Sequence, residues 1–216
     1  MKQNRREFIT KIAAAAAAIP FAKIHRPAPG NSSAERFPVR LFSKPLDEYD
    51  FSFMCECLKR SGIGGFDLTV RPGGKVIPER VENDLPRLAE EAEKYGLVLD
   101  MMVTSILYPD EEFTEKILKT ASMAGVSHYR LGWAEYEPGV NIMKALQGYK
   151  YAMKGIAGLN EKYNIRGGYQ NHAGTWIGGP VWDLYELLKD LPPEFIGCQY
   201  DVRHAMVEGT NSWILG

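Results

Sequence analysis

The chain has 216 residues, with 26 Lys and Arg against 27 Asp and Glu, so it is nearly neutral. Nucleic-acid binding draws its affinity from cations that neutralise phosphates. No run of basic residues occurs after the first 22 positions, so the charge pattern argues against a nucleic-acid partner. Cys55, Cys57 and Cys198 are too few for a disulfide framework. Cys55 and Cys57 are therefore expected to pack as small apolar residues.

Residues 4–22 have the pattern of an export signal. Arg5 and Arg6 are adjacent, and an Ala-rich stretch that follows is too short to span a bilayer as a helix. The segment resembles a bacterial twin-arginine signal, which is read by a receptor and is not a stable membrane anchor. An amphipathic helix is the alternative, but six consecutive alanines give it no polar face.

Residues 1–22 are therefore predicted to be the signal, residues 23–36 a linker and residues 37–216 the folded domain. Without the signal, the chain carries 22 Lys and Arg against 26 Asp and Glu. We expect the protein to work in the periplasm or otherwise outside the cytoplasm.

From residue 37 onward, predicted strands and helices alternate with a period of about thirty residues. The predicted strands are 39–42, 65–70, 97–103, 128–132, 165–170 and 195–200. The predicted helices are 49–60, 78–95, 111–124, 141–163 and 182–189, with the start of another at 211–216. Unbroken alternation of this kind predicts a parallel sheet covered by helices.

The fold class that fits best is α/β, of the (β/α)8 TIM-barrel type, with about six βα units in this chain. A full barrel has eight units in about 250 residues. The chain is therefore expected to be a C-terminally truncated barrel with strands one and six at its edges. The alternative is an open doubly wound sheet, which normally has a Gly-rich phosphate turn after an early strand. Residues 43–47 contain no glycine.

Two polar clusters follow the last predicted strands. Residues 169–174 read Tyr-Gln-Asn-His-Ala-Gly, and residues 199–204 read Gln-Tyr-Asp-Val-Arg-His. Active sites of barrels are built from side chains at the C-terminal ends of successive strands. Gln170, His172, Asp201 and His204 are therefore expected to converge on one cavity.

Three segments carry a resemblance to a known family. They are residues 65–79 (Gly-Phe-Asp-Leu-Thr-Val-Arg-Pro-Gly-Gly-Lys-Val-Ile-Pro-Glu), residues 171–174 (Asn-His-Ala-Gly) and residues 201–205 (Asp-Val-Arg-His-Ala). Together they resemble the sugar phosphate isomerase/epimerase family of xylose-isomerase-like barrels. The resemblance implies a carbohydrate ligand, a divalent metal ion and proton transfer next to a carbonyl group.

The resemblance also implies roles for single residues. Asp201 falls on a metal-ligand position of strand six, and Gln170 falls where strand five usually has a Glu ligand. Mixed carboxylate and imidazole sites suit Mn²⁺, Mg²⁺, Co²⁺ or Zn²⁺. His204 matches a residue that contacts the substrate. The ligands of strands seven and eight would lie beyond Gly216.

Gln170 and Lys75 depart from the family pattern. An amide can coordinate a metal through its oxygen but has no charge and cannot act as a general base, so Gln170 argues against a mechanism that uses two Glu residues. Lys75 stands where relatives often have His. The alternative function is therefore a carbohydrate-binding or lyase-like barrel that has lost the paired-Glu chemistry. A phosphodiester-cleaving repair enzyme is a distant third, disfavoured by export and by acidic charge.

The remaining polar residues have both functional and structural interpretations. Candidates for an acid–base group are Glu135, Glu137 and Lys75, although the two Glu residues are more typical of solvated charges. Candidates for substrate contacts are Asn171, His172, Trp176 and His204. Tyr108 and Trp133 either stack on a sugar or pack in a lid. Asp67 and Arg130 either pair inside the barrel or touch the ligand. His128 is expected to be structural, at the opposite face.

Overall fold

The computed structural model describes residues 39–208, in which six strands alternate with six helices. The strands are β1 (Arg40–Phe42), β2 (Gly65–Val70), β3 (Val98–Thr104), β4 (His128–Arg130), β5 (Arg166–Gln170) and β6 (Ile196–Gln199). The helices are α1 (Phe51–Ser61), α2 (Val81–Lys94), α3 (Thr114–Met123), α4 (Ile142–Tyr163), α5 (Val181–Leu188) and α6 (Val202–Glu208). The predicted signal, the predicted linker and the predicted helix at 211–216 lie outside the described residues.

The six strands form one parallel sheet in sequential order, β1-β2-β3-β4-β5-β6. A doubly wound sheet would reverse its strand order at a switch point. The sequential order therefore excludes that alternative and is the order of a TIM barrel. β1 and β6 are the edges of the described sheet, as predicted.

The hydrophobic core lies between the sheet and its helices. Phe66, Leu68 and Val70 are fully buried on β2, and the alternation of side chains along the strand places them on the helix side. On α2, Val81 and Leu85 lie at helical spacing and are fully buried. The opposite side of each strand is left to face the barrel interior.

Local capping signals set the helix ends. The Asp50 side chain accepts a hydrogen bond from the Ser52 N–H at 2.9 Å at the start of α1, and Gly62, with φ of +71°, ends that helix. Residues Pro78–Arg80 form a 3₁₀ turn ahead of α2, where the α-helix was predicted to begin at once. No described helix has both the length and the apolar character needed to cross a membrane.

The sequence prediction missed α6. Residues 202–208 form two helical turns shortly after β6, whereas the sequence indicated a role only for His204 among them, as a substrate contact. Among the cysteines, Cys55 is buried as expected, Cys57 is half-buried, and Cys198 is an exposed free thiol.

Candidate functional site

A cavity of about 320 Å³ opens on the interior side of the strands. The strand register explains its position, because Arg130 pairs with Gly168 on β5 and Gln170 pairs with Gln199 on β6. The cavity is lined by Phe42, Asp67, Val103, Arg130, Trp133, Gln170, Gln199, Asp201 and His204. Three residues predicted for the site, Gln170, Asp201 and His204, therefore share one cavity.

Gln170 and Asp201 contact each other directly. Gln170 Nε2 donates a hydrogen bond to Asp201 Oδ2 at 2.8 Å. The other carboxylate oxygen of Asp201 accepts from the His204 N–H at 3.1 Å, which is the capping geometry of a helix N-terminus. This hydrogen bond caps the start of α6 and also holds the main chain of His204 at the cavity.

Asn171 joins the ends of β5 and β6. Its Nδ2 donates to the Asp201 carbonyl oxygen at 2.8 Å, and its Oδ1 accepts from the Asp201 N–H at 2.6 Å. The side chain is 0 % exposed. In this structure Asn171 holds the main chain of Asp201, and its predicted contact with a substrate stays a prediction.

An aromatic cluster lies beside the cavity. The His172 and His204 rings are 3.9 Å apart between centroids, and the His172 ring is 4.3 Å from Trp133. Trp176 lies 5.9 Å from both Trp133 and His172. The rings are tilted or edge-on to one another, and together they offer an apolar wall with polar edges, which suits contact with a sugar.

The loops that carry these rings are fixed to each other. The Tyr169 hydroxyl donates to the Ile177 carbonyl oxygen at 2.7 Å and accepts from the Ala134 N–H at 3.2 Å. Ile177 N–H donates to the Ala134 carbonyl oxygen at 2.8 Å, and Glu135 bridges to Trp176 through the main chain. The loops after β4 and β5 therefore position Trp133 and Trp176 as one unit.

Asp67 and Arg130 are the charged residues that the strands themselves contribute to the cavity. Burial raises the pKa of the Asp67 carboxyl to about 6, Arg130 partly offsets this shift, and Asp100 adds to it. Burial also lowers the pKa of the Arg130 guanidinium to about 10, an effect that Arg71 strengthens and Asp67 opposes. Asp67 therefore titrates near neutral pH, while Arg130 keeps its charge there.

The predicted acid–base candidates do not line this cavity. Lys75 Nζ donates to the carbonyl oxygens of Asp47, at 3.2 Å, and of Tyr49, so it ties together the loop after β1. Glu135 and Glu137 are exposed in the loop after β4. Tyr108 is 46 % exposed and packs edge-on against Tyr149.

His128 lies at the other end of the sheet, as expected. Its Nδ1 is 2.8 Å from Ser127 Oγ. With Met101 and Arg166, it lines a separate cavity at the N-terminal ends of the strands.

Sequence reasoning did not assign Asp67 to the site, although it considered the residue. A signal was present, because Asp67 is the one charged residue in the apolar strand Gly65–Val70. Because successive side chains of a strand point to opposite faces of the sheet, Asp67 points away from the helices, whereas Phe66 and Leu68 point toward them. Only the three-dimensional register shows that Asp67 shares a cavity with Arg130 and Asp201.

The described residues do not by themselves fit a divalent metal ion. No group of three or more His, Cys, Asp or Glu side chains among residues 39–208 is arranged to hold one. The Gln170 amide also directs its N–H, and not its oxygen, at Asp201. The assignment of amide oxygen and nitrogen follows the hydrogen-bond network, and the reversed amide would place two oxygens against each other.

No protein-family profile matches the chain, and no curated protein matches it. Solved structures do match. The 3-keto-D-glucoside 4-epimerase YcjR of E. coli has a TM-score of 0.63 at 10% identity, and the match covers 82% of this chain and 72% of the YcjR chain. The probable 3-DHS dehydratase AsbF of Bacillus anthracis has a TM-score of 0.65 at 14% identity, with coverage of 83% and 69%.

A third similar structure is the IolI protein with a bound zinc atom. Its TM-score is 0.63 at 15% identity, and the match covers 82% of this chain and 67% of that chain. The structural similarity establishes the fold, but at such low sequence identity it does not establish the chemistry, which has to be argued from the site. The described strands and helices are six βα units of a TIM barrel, the fold that this chain shares with the sugar epimerase YcjR, with AsbF and with IolI.

Proposed function

We propose that the protein is an isomerase or epimerase that acts on a sugar or sugar derivative by proton transfer next to a carbonyl group. The observation that carries this proposal is the cavity at the strand ends, where a carboxyl group with a pKa of about 6 lies with Arg130, Asp201 and His204. The similar barrels support it, because YcjR is named as a sugar epimerase.

Asp67 is the residue suited to move the proton. A general base works best when its pKa is near the operating pH, and the pKa of Asp67 is raised to about 6. The carboxylate takes the proton from the carbon next to the carbonyl, and the electron pair moves to the carbonyl oxygen. Return of a proton to the other face of the same carbon re-forms the carbonyl and gives an epimer. If the hydroxyl proton on that carbon moves to the former carbonyl oxygen and a proton is returned to the former carbonyl carbon, the product is an isomer.

The test is product formation from a panel of free and phosphorylated aldoses and ketoses, followed by chromatography. We expect one sugar of the panel to be converted to a single epimer or isomer, at a rate that depends on the enzyme concentration. Binding of sugars without conversion of any of them contradicts the enzyme proposal.

Sugar binding without conversion would favour a carbohydrate-binding barrel. The observation behind this alternative is Gln170, an uncharged residue that bonds to Asp201. Because the aromatic wall does not depend on that residue, sugar binding would persist in a barrel without paired Glu residues.

Metal dependence is proposed as well, with Mn²⁺, Mg²⁺, Co²⁺ or Zn²⁺ as the ion and Asp201 as one ligand of a site that the described residues do not complete. Gln170→Glu tests it without an activity measurement. A second carboxylate within hydrogen-bond reach of Asp201 repels the first. We expect the variant to melt several degrees lower with a chelator present and to regain that loss when Mn²⁺ or Zn²⁺ is added.

Gln170→Ala is the matched control, because it removes the same amide without adding charge, and the metal should stabilise it less than it stabilises Gln170→Glu. Melting temperatures from differential scanning fluorimetry report both variants. A Gln170→Glu protein that is unaffected by every ion would contradict the metal proposal.

Export through the twin-arginine pathway is proposed from residues 4–22. A fusion of residues 1–36 to green fluorescent protein should deliver fluorescence to the periplasm, because this pathway carries folded cargo. Replacing Arg5 and Arg6 together by Lys should retain the fluorescence in the cytoplasm. Periplasmic fluorescence that is equal with and without the arginine pair would contradict the proposal.

A further inference from the structure

Two buried donor groups at the cavity lack an acceptor among the described residues. They are one terminal nitrogen of the Arg130 guanidinium and the indole Nε1 of Trp133. Both groups can only donate hydrogen bonds. Both residues line the cavity, and the guanidinium carbon lies 4.0 Å from the Trp133 ring centroid. The two donors therefore belong to one small region of the cavity wall.

The Arg130 guanidinium lies near the Asp67 carboxylate and the Trp133 ring, but one of its terminal nitrogens has no bonded acceptor among the described residues. The residue is 4 % exposed, and within the part of the chain that the structure describes it forms no salt bridge, even with Asp67. A buried charge without a bonded partner is costly. Most buried polar groups in proteins have a hydrogen-bond partner, so an unpaired guanidinium points to a missing acceptor.

Arg71 adds a second positive charge nearby. It lies in the loop after β2, with its guanidinium carbon 6.0 Å from the ring centroid of Phe42, which lines the cavity. Its charge is close enough to disfavour the charged form of Arg130. Arg71 lines a neighbouring pocket and not this cavity, so it contributes positive potential, and that potential favours an anion bound beside Arg130.

The carboxylate of Asp201 does not supply the missing acceptor. Its two oxygens accept hydrogen bonds from Gln170 and from the main chain of His204, and among the described residues neither oxygen accepts from the unpartnered nitrogens of Arg130 and Trp133. The cavity volume of about 320 Å³ is several times the roughly 30 Å³ that one water molecule occupies in the liquid. There is room for a ligand group larger than a single water molecule.

We propose that Arg130 and Trp133 form a binding site for an oxyanion carried by the sugar, a carboxylate or a phosphate. The planar fork of an arginine matches two oxygens of either group, and the indole N–H donates to one of them. Because the sugar part of this ligand rests on the proposed function, the inference narrows the substrate class to sugar acids or sugar phosphates.

The Trp133 indole N–H is a direct reporter of this site. In ¹H–¹⁵N spectra its resonance is assigned as the one that disappears in Trp133→Phe. Inorganic phosphate and glycolate are titrated at constant ionic strength, with chloride as the control for nonspecific screening. We expect a saturable shift of this resonance with the oxyanions and none with chloride. No shift with either oxyanion overturns the proposal.

Two variants test the part of Arg130. Arg130→Gln should weaken oxyanion binding about 10–100-fold, the effect of losing a charge-assisted hydrogen bond. Arg130→Lys keeps the charge but loses the planar fork, so it should bind the oxyanions with intermediate affinity. It also serves as the test if Arg130→Gln does not fold. Arg166→Gln, on a strand but at the other end of the sheet, is the matched control and should bind as the wild type does. Equal binding in Arg130→Lys and the wild type contradicts a role for the fork.

Sugar probes then separate the two oxyanion classes. D-glucuronate carries a carboxylate, D-glucose 6-phosphate carries a phosphate, and D-glucose carries neither. We expect one charged sugar to shift the indole resonance at a concentration at least about 10-fold lower than D-glucose does. Equal affinity for all three overturns the inference, whereas oxyanion binding without conversion of any sugar contradicts only the proposed function.

Discussion

Asp67→Asn is expected to lower the rate of sugar conversion by roughly 10²–10⁴-fold, the usual contribution of a positioned general base. Asn occupies nearly the same volume but cannot accept a proton. Sugar binding should persist, because the aromatic wall and Arg130 are untouched. The measurement is kcat and KM on the sugar that the wild type converts, and kcat should carry the loss.

Asp110→Asn is the matched control, since Asp110 is an exposed carboxylate in the loop after β3. It removes the same charge and should leave kcat unchanged. A loss of less than about threefold in Asp67→Asn, against the roughly 10²-fold minimum for a general base, would show that another residue moves the proton.

The same substitution should change how stability depends on pH. The pKa of Asp67 is raised from 3.8 to about 6 by burial, so the folded protein holds this proton more tightly than the unfolded chain does. Its contribution to stability is complete below about pH 4 and is lost as the pH rises through about 6. Asn does not titrate, so the Asp67→Asn variant should lack this dependence of stability on pH.

Urea unfolding at pH 4 and pH 8 measures this effect. The difference in the free energy of unfolding, Asp67→Asn minus wild type, should be about 2 kcal/mol larger at pH 8 than at pH 4. A pKa unit corresponds to about 1.4 kcal/mol, and the figure allows for the partial exposure of Asp67. A difference between the two proteins that is the same at both pH values would contradict a raised pKa at Asp67.

Asn171→Ala should destabilise the fold by about 3 kcal/mol. The substitution removes two hydrogen bonds to the main chain of Asp201 and leaves a space in a fully buried position. It should also release the end of β6 and the start of α6. The measurement is the free energy of unfolding in urea at neutral pH.

Asn141→Ala gives the scale for this prediction. The Asn141 side chain caps α4 by accepting from the Lys144 N–H at 3.2 Å, in an exposed position. Losing such a cap costs about 1 kcal/mol. If Asn171→Ala costs no more than Asn141→Ala, the link between β5 and β6 is not a major source of stability.

Most of the fold could be predicted from the sequence because each strand has its own local pattern. The run Gly65–Val70 is apolar and is followed by a Gly-rich turn, and α2 carries apolar residues at helical spacing. The predicted ends differ from the observed ones by a few residues. The 3₁₀ turn at Pro78–Arg80 was missed because proline favours the first turn of either kind of helix.

The start of α6 could not be recognised in the same way. Residues 202–208 lack a long apolar stripe, so their pattern did not indicate a helix. The helix begins there because the Asp201 carboxylate accepts the His204 N–H. Asp201 was interpreted only as a metal ligand, and a short polar motif does not distinguish a ligand from a helix cap.

The candidate site was predictable at the strand ends and not within the strands. Gln170, Asp201 and His204 could be placed together because parallel strands end at one edge of a barrel. Asp67 and Arg130 reach the same cavity through the register of β2, β3 and β4. The pairing of Gln170 with Asp201 depends on the orientation of an amide, which only the structure provides.

Deuterium exchange from solvent reports the proposed reaction at its first step, because it detects proton transfer next to a carbonyl even where the product is scarce. The panel of free sugars, sugar acids and sugar phosphates is incubated with the protein in D₂O and followed by ¹H NMR. We expect one sugar to lose the signal of a single C–H next to its carbonyl, and we expect Asp67→Asn to abolish this loss. Bound sugars that keep every C–H signal with the wild-type protein would contradict it.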